Sequence, residues 1–592
     1  MSRTSSGAAI SGLGMTSLGR VYGSSPRSLA ASAVRLAAAD AGLAIADLDG
    51  LLICPGITGG LDLGLAGQLG MRDLSMLAVI NSFGASATVA VQTAALAVTS
   101  GAARAVACVF ADTPLREGAP AGSAFGGFGG SGDAAGPPER HGLPGLAAGY
   151  GFSSVTVYYA LAARRHMQKY GTTSEQLGAI AVAQRQWAAG NPVAAFRDPI
   201  ALADHQGSRW VAEPLHLLDC SLVTNGAIAI IVTTAEAAGR GPRPPVHVWG
   251  WGQGHPGMPM AAGSDFGLVT GAVQAGRAAM GMAGIGPAEI TMCQIYDCYT
   301  FTVLVTLEDY GFCAKGEGGP FAASGALAPG GSLPVNTGGG QLSGYYMWGF
   351  TPLSEAIIQA RGDGGDRQSP ATDLILVSGN GGILSHHGTL VLSPHQAGAS
   401  GGRSSRSGRG GQAPGQDRGA GAASGPAGVA GQAGGTDLDG RAEAPSERPA
   451  AVRLPEPGSV GIVRPDPRSE PFFTAAARNE LMIKRCDGCS EWLAPAASGC
   501  PRCGDDGGVS WAVTAGRGTL VSWAIVHPRG DGPVAIPALV ELAEGPWLST
   551  GLRLADPADL AALRAGQPVT AEFVHPAEGA SYPVFRPVGS SG

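Results

Sequence analysis

From Gln396 to Ala450 the chain passes through GASGGRSSRSGRGGQAPGQDRGAGAASGPAGVAGQAGG, and Val429 and Leu438 are the larger aliphatic residues of the whole stretch. Ordering a backbone costs roughly 1–2 kcal/mol per residue, and nothing here can offset that by burial. The stretch therefore reads as a flexible tether. It divides the chain into a large N-terminal region and a C-terminal module of about 130 residues. A length of 592 residues independently calls for two or three cores. We place two halves at 5–240 and 241–394, the Gly/Ala/Ser-rich linker at 395–455, and the module at 465–590, with a cysteine-bearing segment over about 480–506.

Hydrophobic residues make up 44% of the chain, yet no uninterrupted apolar run reaches the roughly 18 residues of a membrane helix, so no membrane partner is expected. The start MSRTSSGAAISGLG lacks a charged segment followed by a solid apolar block, which predicts a cytoplasmic protein with reduced cysteines. A net charge of −7 with scattered arginines offers no basic stripe and argues against nucleic acid. Lysine occurs only at 169, 315 and 484.

Before the tether, runs apolar on both faces (LDGLLIC, MLAVI, ARAVACVF, GAIAIIVTT) alternate with helical periodicity. The order returns in VHVWGWG, VTGAVQAGRAAMGMAG, ITMCQIY, FTVLVTLEDYG, PLSEAIIQARG, DLILVSG and GTLVLS. This predicts two similar α/β halves around a mostly parallel buried sheet, with a site lined by loops at strand ends. One loop is an elbow, AVINSFGASATVAVQTAALAV (78–98), where a strand turns into a long helix. Such turns mount nucleophiles because backbone amides there stabilise negative charge, but this one holds no cysteine, only Ser82 and Ser86.

The C-terminal module carries the most specific motif. In CDGCSEWLAPAASGCPRC, Cys486 and Cys489, then Cys500 and Cys503, form two CxxC knuckles ten residues apart, the pattern of a four-thiolate structural zinc ribbon. The alternating stretches GRGTLVSWAIVH, AIPALVELAEG, PWLSTGLRL and PVTAEFVH predict a small antiparallel barrel behind it.

Five segments, NSFGASATVA (81–90), PLHLLDCSLVTNGA (214–227), YDCYTFTVLVTLEDYGFCAKGEGG (296–319), VNTGGGQLSGYYMWG (335–349) and VSGNGGILSHHGTLVLS (377–393), resemble the thiolase superfamily, more narrowly its sterol-carrier-associated branch. The resemblance spans nearly all of residues 5–393 and implies a duplicated five-layer α/β/α/β/α fold. Ribbon, barrel and the preceding EPFFTAAARNELMIKRC are similar to the acyl-CoA-associated zinc-ribbon/OB-fold family. The fold class is thus α/β, thiolase-like, with a C-terminal zinc ribbon and OB-fold barrel.

Against the thiolase pattern NxxCAxG, the nucleophile position is Gly84. The GHP histidine is matched by Tyr346, the second cysteine by Ser378, and the residue opening the NEAF- or HDCF-like motif by Tyr296. Without a thiolate there is no acyl-enzyme, so Claisen condensation by the family route is not expected. Retro-aldol cleavage of a 3-hydroxyacyl-CoA needs only two acid/base groups and an oxyanion site. The tyrosine pair resembles that of thiolase-like aldolases of steroid and bile-acid side-chain breakdown, which release a ketone and a short acyl-CoA. Tyr346 is assigned to the substrate hydroxyl and Tyr296 to the enolate, although a tyrosine pKa near 10 leaves open which begins as base.

Supporting positions are Asp297, His386, His387 and Gly84, and the turns at Gly339, Gly340, Gly381 and Gly382 are candidates for close backbone approach to a thioester. Asp219 is expected to orient a loop, and Glu308 and Asp309 to lie on an exposed helix face. Lys315 is the one lysine near these loops, but a thioester enolate needs no imine. Adjacent histidines diverge on a strand, which argues against a shared metal. The glycine run at 126–136 lacks a GK[ST] ending and reads as an excursion beside the entrance. No nicotinamide or flavin is expected. The expected associations are an acyl-CoA substrate, a homodimer formed through the elbow region, and an enoyl-CoA hydratase. Two alternatives stand beside the aldolase: a non-catalytic acyl-CoA binding or channelling subunit, and a thiolase or acyltransferase activity using Cys298 or Cys313.

Overall fold

The computed structural model describes residues 7–121, 123–125, 140–257, 260–397, 453–455, 460–504, 508–528 and 533–589. The glycine run at 126–136 and nearly all of the tether lie outside them. In the first half, β1 (Ala8–Met15), α1 (Pro26–Asp40), β2 (Gly50–Pro55), β3 (Met76–Val79), α2 (Ser86–Ser100) and β4 (Ala105–Asp112) are followed by an excursion carrying α3 (Val155–Tyr170) and α4 (Ser174–Ala189). It ends with β5 (Gly226–Thr234). The second half contains β6 (Val246–Gly254), α5 (Ala272–Ala283), β7 (Met292–Gln294), α6 (Thr300–Asp309), α7 (Phe350–Arg361), β8 (Ile375–Gly381) and β9 (His386–Ser393).

Local signals account for these elements. Ser25 caps α1 ahead of Pro26, and Leu29, Ala30, Ala33, Val34 and Ala37 bury one helical face. Every residue of β4 is buried, which explains its unbroken apolar run. Helix α2 ends on Gly101 in the left-handed region (φ 77°). By length and composition Phe83–Ser100 could cross a membrane, but 61% of it is buried in the protein, as a core helix requires.

The nine strands form one sheet in the order β7-β8-β9-β6-β1-β5-β4-β2-β3. The halves repeat, with β1-α1-β2-α2-β4-β5 matched by β6-α5-β7-α7-β8-β9, and they join where Ala9 and Ile10 pair with His247 and Val246. Helix α2 packs on strands of both halves and α7 joins it in the middle layer, while α1 and α5 cover the outer faces. This is the expected five-layer arrangement. The sheet is mixed, however, and not mostly parallel: only β2–β3, β2–β4 and β7–β8 run parallel. In each half the final strand returns antiparallel between its neighbours, β5 between β4 and β1, β9 between β8 and β6. Both-face burial is common to central strands of either direction, so apolar runs could not reveal this.

Behind Glu470–Ala476, the strands Met482–Cys486, Trp492–Leu493 and Val509–Val513 form the ribbon. Five antiparallel strands between Arg517 and Pro587 form the barrel sheet, and Leu552 bridges to Phe585. This module is seated on the excursion of the first half. Ile525–Val526 pairs antiparallel with Ala212–Glu213, and Val463–Arg464 pairs parallel with Arg140–His141. Ser522 Oγ donates to the Leu161 carbonyl (2.7 Å), His527 meets Glu213 (2.8 Å), and the Tyr150 hydroxyl donates to the Pro583 carbonyl. Arg164 and Arg165 lie over the rings of Trp523 and Trp547, 5.3 and 4.9 Å from their centroids.

Candidate active site

The elbow enters α2 through Asn81–Ala85, with Phe83 at φ 52°. A Cβ on Gly84 would stand 2.1 Å from the Asn380 carbonyl oxygen and 2.3 and 2.4 Å from Cζ and Cε2 of Tyr296. Tyr296 thus fills the space that a side chain on the elbow would occupy, and a nucleophile at 84 is sterically incompatible with this ring. Gly379 and Gly381 bring β8 onto the elbow: Cβ atoms there would lie 2.7 Å from the Gly84 carbonyl and 2.2 Å from the Ser82 carbonyl. Strand alternation turns Ser378 to the other face, where its Oγ accepts from Tyr296 N–H (3.2 Å). Gly379, and not Ser378, is therefore the β8 residue that faces the elbow.

Tyr346 is held through its backbone by Thr224, whose hydroxyl accepts from its N–H (3.0 Å) and donates to its carbonyl (2.9 Å). Its phenol donates to Asp112 Oδ2 (3.3 Å). Burial pushes both phenols well above the usual tyrosine range. Tyr346 is raised next by Asp112 and then by Tyr296, and Tyr296 by Cys298 and Asp297. The Gln341 amide, whose nitrogen and oxygen are buried without a hydrogen-bond partner, acts in the opposite direction on Tyr296. Beside the pair stand Trp348, Phe83 and Phe110, with Trp348 centroids 6.1 and 5.3 Å from the two phenylalanines, and Phe125 meets Tyr346 edge-on at 5.7 Å. Tyr345 and Tyr299 are different: their hydroxyls are satisfied by Ser354 and Thr156, each at 2.9 Å.

Asp297 is a loop anchor. It accepts the N–H groups of Gln341 (3.0 and 2.9 Å) and Leu342 (3.3 Å), and burial raises it to about 7. With its amide turned nitrogen-first, Gln184 donates to Asp297 (2.6 Å) and accepts from Asn336 (2.9 Å). Gly339 and Gly340 open onto Ala188 and Asp297, not onto the tyrosines, and Gly382 opens onto the His386 ring. Asp219 likewise ties a loop, accepting from Thr300 (2.6 Å) and His216 N–H (2.8 Å) and pairing with His205 (2.9 Å).

The two histidines diverge as strand geometry requires. His387 is buried, held at 2.9 Å by the Tyr310 hydroxyl, and lowered to about 3 by burial. His386 stacks near Phe83 at the mouth and meets His255 Nδ1 at 3.1 Å. Glu308 and Asp309 correct the exposed-face expectation, because both side chains are buried and engage Lys315 at 3.3 and 2.6 Å. His166 also meets Glu308 at 3.0 Å. An apolar helix packed on both sides hides its charged end under the 311–318 loop, and an ion-paired Lys315 is not an imine-forming amine. Burial raises the Cys298 and Cys313 thiols to about 12, which removes their thiolate character.

Among the described residues the one cluster suited to a metal is Cys486, Cys489, Cys500 and Cys503, with all four sulfurs within 4.8 Å of one another and two pairs at 3.5 Å. These spacings fit thiolates around one tetrahedral zinc.

Sequence reasoning missed Asp112 and the aromatic wall. Asp112 had one signal: it is the polar last residue of a strand otherwise apolar on both faces, at the strand end where α/β sheets place ligands.

Residues 252–394 match the thiolase C-terminal domain-like family, 473–508 the ChsH2 rubredoxin-like zinc ribbon domain, and 511–574 the ChsH2 C-terminal OB-fold domain. A steroid side-chain-cleaving aldolase of Thermomonospora curvata is 36% identical over 388 residues, 63% of this chain and 95% of that protein. The 17-hydroxy-3-oxo-4-pregnene-20-carboxyl-CoA lyase of Mycobacterium tuberculosis is 36% identical over 390 residues, 63% and 96% of the two chains. Among solved structures, an Ltp2-ChsH2(DUF35) aldolase superposes with a TM-score of 0.56 at 34% identity, covering 66% of this chain and 98% of the other. A monomeric SCP2-thiolase-like protein of Mycobacterium smegmatis shares the fold, with a TM-score of 0.60 at 14% identity over 98% of this chain and 99% of that one. The chain belongs to the thiolase-like steroid side-chain-cleaving aldolases, carbon–carbon lyases, and carries a zinc-ribbon and OB-fold module of the ChsH2 type in the same polypeptide.

Proposed function

We propose that the protein cleaves a 3-hydroxyacyl-CoA with a bulky, steroid-like acyl group into a ketone and a shorter acyl-CoA, with Tyr296 and Tyr346 as acid and base. The observation that carries this reading is the Tyr296 ring standing where an elbow nucleophile would be, close enough to a second buried phenol, Tyr346, to raise it. Tyr346 takes the proton of the 3-hydroxyl as the Cα–Cβ bond breaks, and Tyr296 protonates the thioester enolate. The amides at the α2 N-terminus and the unpaired Gln341 amide supply donors for the enolate oxygen. Phe83, Phe110, Phe125 and Trp348 give the acyl group an apolar wall. The reaction is redox-neutral, so its chemistry calls for neither nicotinamide nor flavin.

The functional division follows: 5–240 and 241–394 form the two halves of the lyase, 395–455 tethers, and 465–590 is the accessory module, in which the four cysteines hold one structural Zn2+. The chain acts in the cytoplasm. A homodimer forms through the elbow side of the sheet, because β3 is its terminal strand and leaves Leu77 and Val79 40% and 46% exposed. Hydration of an enoyl-CoA yields the required 3-hydroxyacyl-CoA, which makes a hydratase the natural associate.

Mass-spectrometric analysis of products from CoA thioesters with a tertiary 3-hydroxyl tests the reading. Ketone and shortened acyl-CoA should form without free CoA, and Tyr296→Phe and Tyr346→Phe should each lose at least about 100-fold. Binding of the thioester with no cleavage would point to a channelling subunit instead.

A further inference from the structure

Asp112 ends β4 fully buried, and its two oxygens carry unequal loads. Oδ1 accepts from Thr58 N–H (3.1 Å), Thr58 Oγ1 (2.5 Å) and Thr113 N–H (3.0 Å). Oδ2 accepts only from Ile57 N–H (3.1 Å) and the Tyr346 hydroxyl (3.3 Å). Among the described residues no lysine, arginine or histidine lies within ion-pair distance of it. The loop wraps the carboxylate so closely that a Cβ on Gly56 would stand 2.2 Å from its Cγ. A carboxylate this confined has one hydrogen-bonded neighbour able to give it a proton, and that neighbour is Tyr346.

We propose that Asp112 is the positioning residue that makes Tyr346 a competent base, by accepting the phenolic proton on Oδ2 as Tyr346 accepts the proton of the substrate's 3-hydroxyl. The proposal rests on the aldolase reading of Tyr346 and adds where the proton goes. The hydroxyl O–H bond breaks and its electron pair forms the ketone C=O. The Cα–Cβ pair moves into the thioester as the enolate, one proton shifts to Tyr346, and one shifts from Tyr346 to Asp112. Tyr296 then protonates Cα. The proton stored on Asp112 returns through Tyr346 once the ketone has left and restores the Tyr296 phenol through the emptied site, so charge and protons balance.

Two further observations fit this route. Burial and the Asp112 charge together hold Tyr346 well above the ordinary tyrosine range, so a free phenolate is not its resting form and a second acceptor is needed. Thr58 and Thr113, which hold Asp112, also line a cleft of about 420 Å3 with Tyr22, Arg116, Glu117 and Asn225. Among the described residues, the titratable groups around Asp112 are thus Tyr346, which touches it, Tyr296 beyond Tyr346, and Tyr22, Arg116 and Glu117 in the cleft.

The test compares wild type, Asp112→Asn, Asp112→Glu, Thr58→Val and Tyr346→Phe by kcat and KM across pH on the same CoA thioester. Asp112→Asn should lower kcat by about 10²–10⁴ with little change in KM. Asp112→Glu should recover part of the rate, and Thr58→Val, which removes a donor that holds Oδ1, should lower kcat without a matching change in KM. An Asp112→Asn enzyme with wild-type kcat, while Tyr346→Phe is inactive, overturns the relay and leaves the aldolase reading standing. A Tyr346→Phe enzyme at wild-type rate overturns both. If Asp112→Asn does not fold, a proton inventory of wild-type kcat in H2O/D2O mixtures decides: a curved plot supports two protons in flight, and a linear one refutes the relay.

Discussion

Gly84→Ala is the substitution that most directly tests the exchange of nucleophile for phenol. The added methyl would meet the Asn380 carbonyl at 2.1 Å and the Tyr296 ring at 2.3 and 2.4 Å. Ordinary heavy-atom contact is about 3.5–4.0 Å, so one side must retreat by more than about 1 Å. Asn380 is paired with His387 of β9 and the Gly84 backbone is wedged by Gly379 and Gly381, so retreat of the ring alone cannot relieve the contact with the carbonyl, and the elbow and the Tyr296 ring must shift together. Displacing an acid/base group by about 1 Å costs on the order of 10²-fold in rate, and overpacking of this kind costs about 1–3 kcal/mol. Steady-state cleavage should therefore fall about 100-fold in kcat, with an accompanying loss of thermal stability. Gly84→Cys should be equally impaired and gain no thiolysis. Gly84→Cys/Tyr296→Ala, which removes the ring contacts but not the approach to the Asn380 carbonyl, should make the thiol at the α2 N-terminus more reactive to iodoacetamide than in Gly84→Cys alone. A Gly84→Ala enzyme with wild-type kcat and an unmoved Tyr296 would falsify the steric argument.

Three other outcomes follow from the packing. Removing zinc with a chelator, or replacing Cys500 with Ser, should unfold the ribbon, because its core consists of Cys486, Leu493 and Cys500, and circular dichroism with metal analysis would read the loss. Arg164→Ala/Arg165→Ala deletes both cation–π contacts with the barrel, about 0.5–2 kcal/mol each, and should speed hydrogen exchange at 522–526 while leaving α2 unchanged. His387 is held to about 3 when folded, against about 6.5 when unfolded, so the unfolded chain binds its proton first and stability falls as pH drops below about 6.5. Between pH 7 and 5 this amounts to about 2 kcal/mol at 1.36 kcal/mol per unit. Chemical denaturation at the two pH values should show a smaller drop in His387→Gln, and equal drops would refute the buried neutral histidine.

Signals confined to a few adjacent residues were legible in the chain. The CxxC pair marked the sulfurs that now lie within 4.8 Å of one another, and the strand-helix alternation marked both halves of the sheet. Tyr296 and Tyr346 could be singled out because each stands at a fixed offset inside a loop motif. What stayed hidden depended on partners far apart in sequence. Glu308 and Asp309 looked like a solvated helix end, but α6 is packed from both sides and the 311–318 loop brings Lys315 over them. Ser378 stands at the position matched to a second cysteine, yet the one-residue alternation of a strand turns Gly379 to the elbow. Asp112 looked like an ordinary strand terminus, and only folding carries Tyr346 across 234 positions to its side.

By itself, then, the sequence determined what local chemistry can determine: a duplicated α/β core, a four-thiolate knuckle, an elbow without a thiol, and a stretch with nothing to bury. Tertiary structure decided the matters that depend on where side chains converge. It set the ring of Tyr296 in the space above Gly84, joined the phenol of Tyr346 to a carboxylate from another strand, and seated the tethered module on the excursion by strand pairing at Ala212–Glu213. The physical reason is range: caps, turns, knuckles and periodicity act over a few residues, whereas steric exclusion and proton transfer act over a few ångströms between residues that the chain keeps far apart.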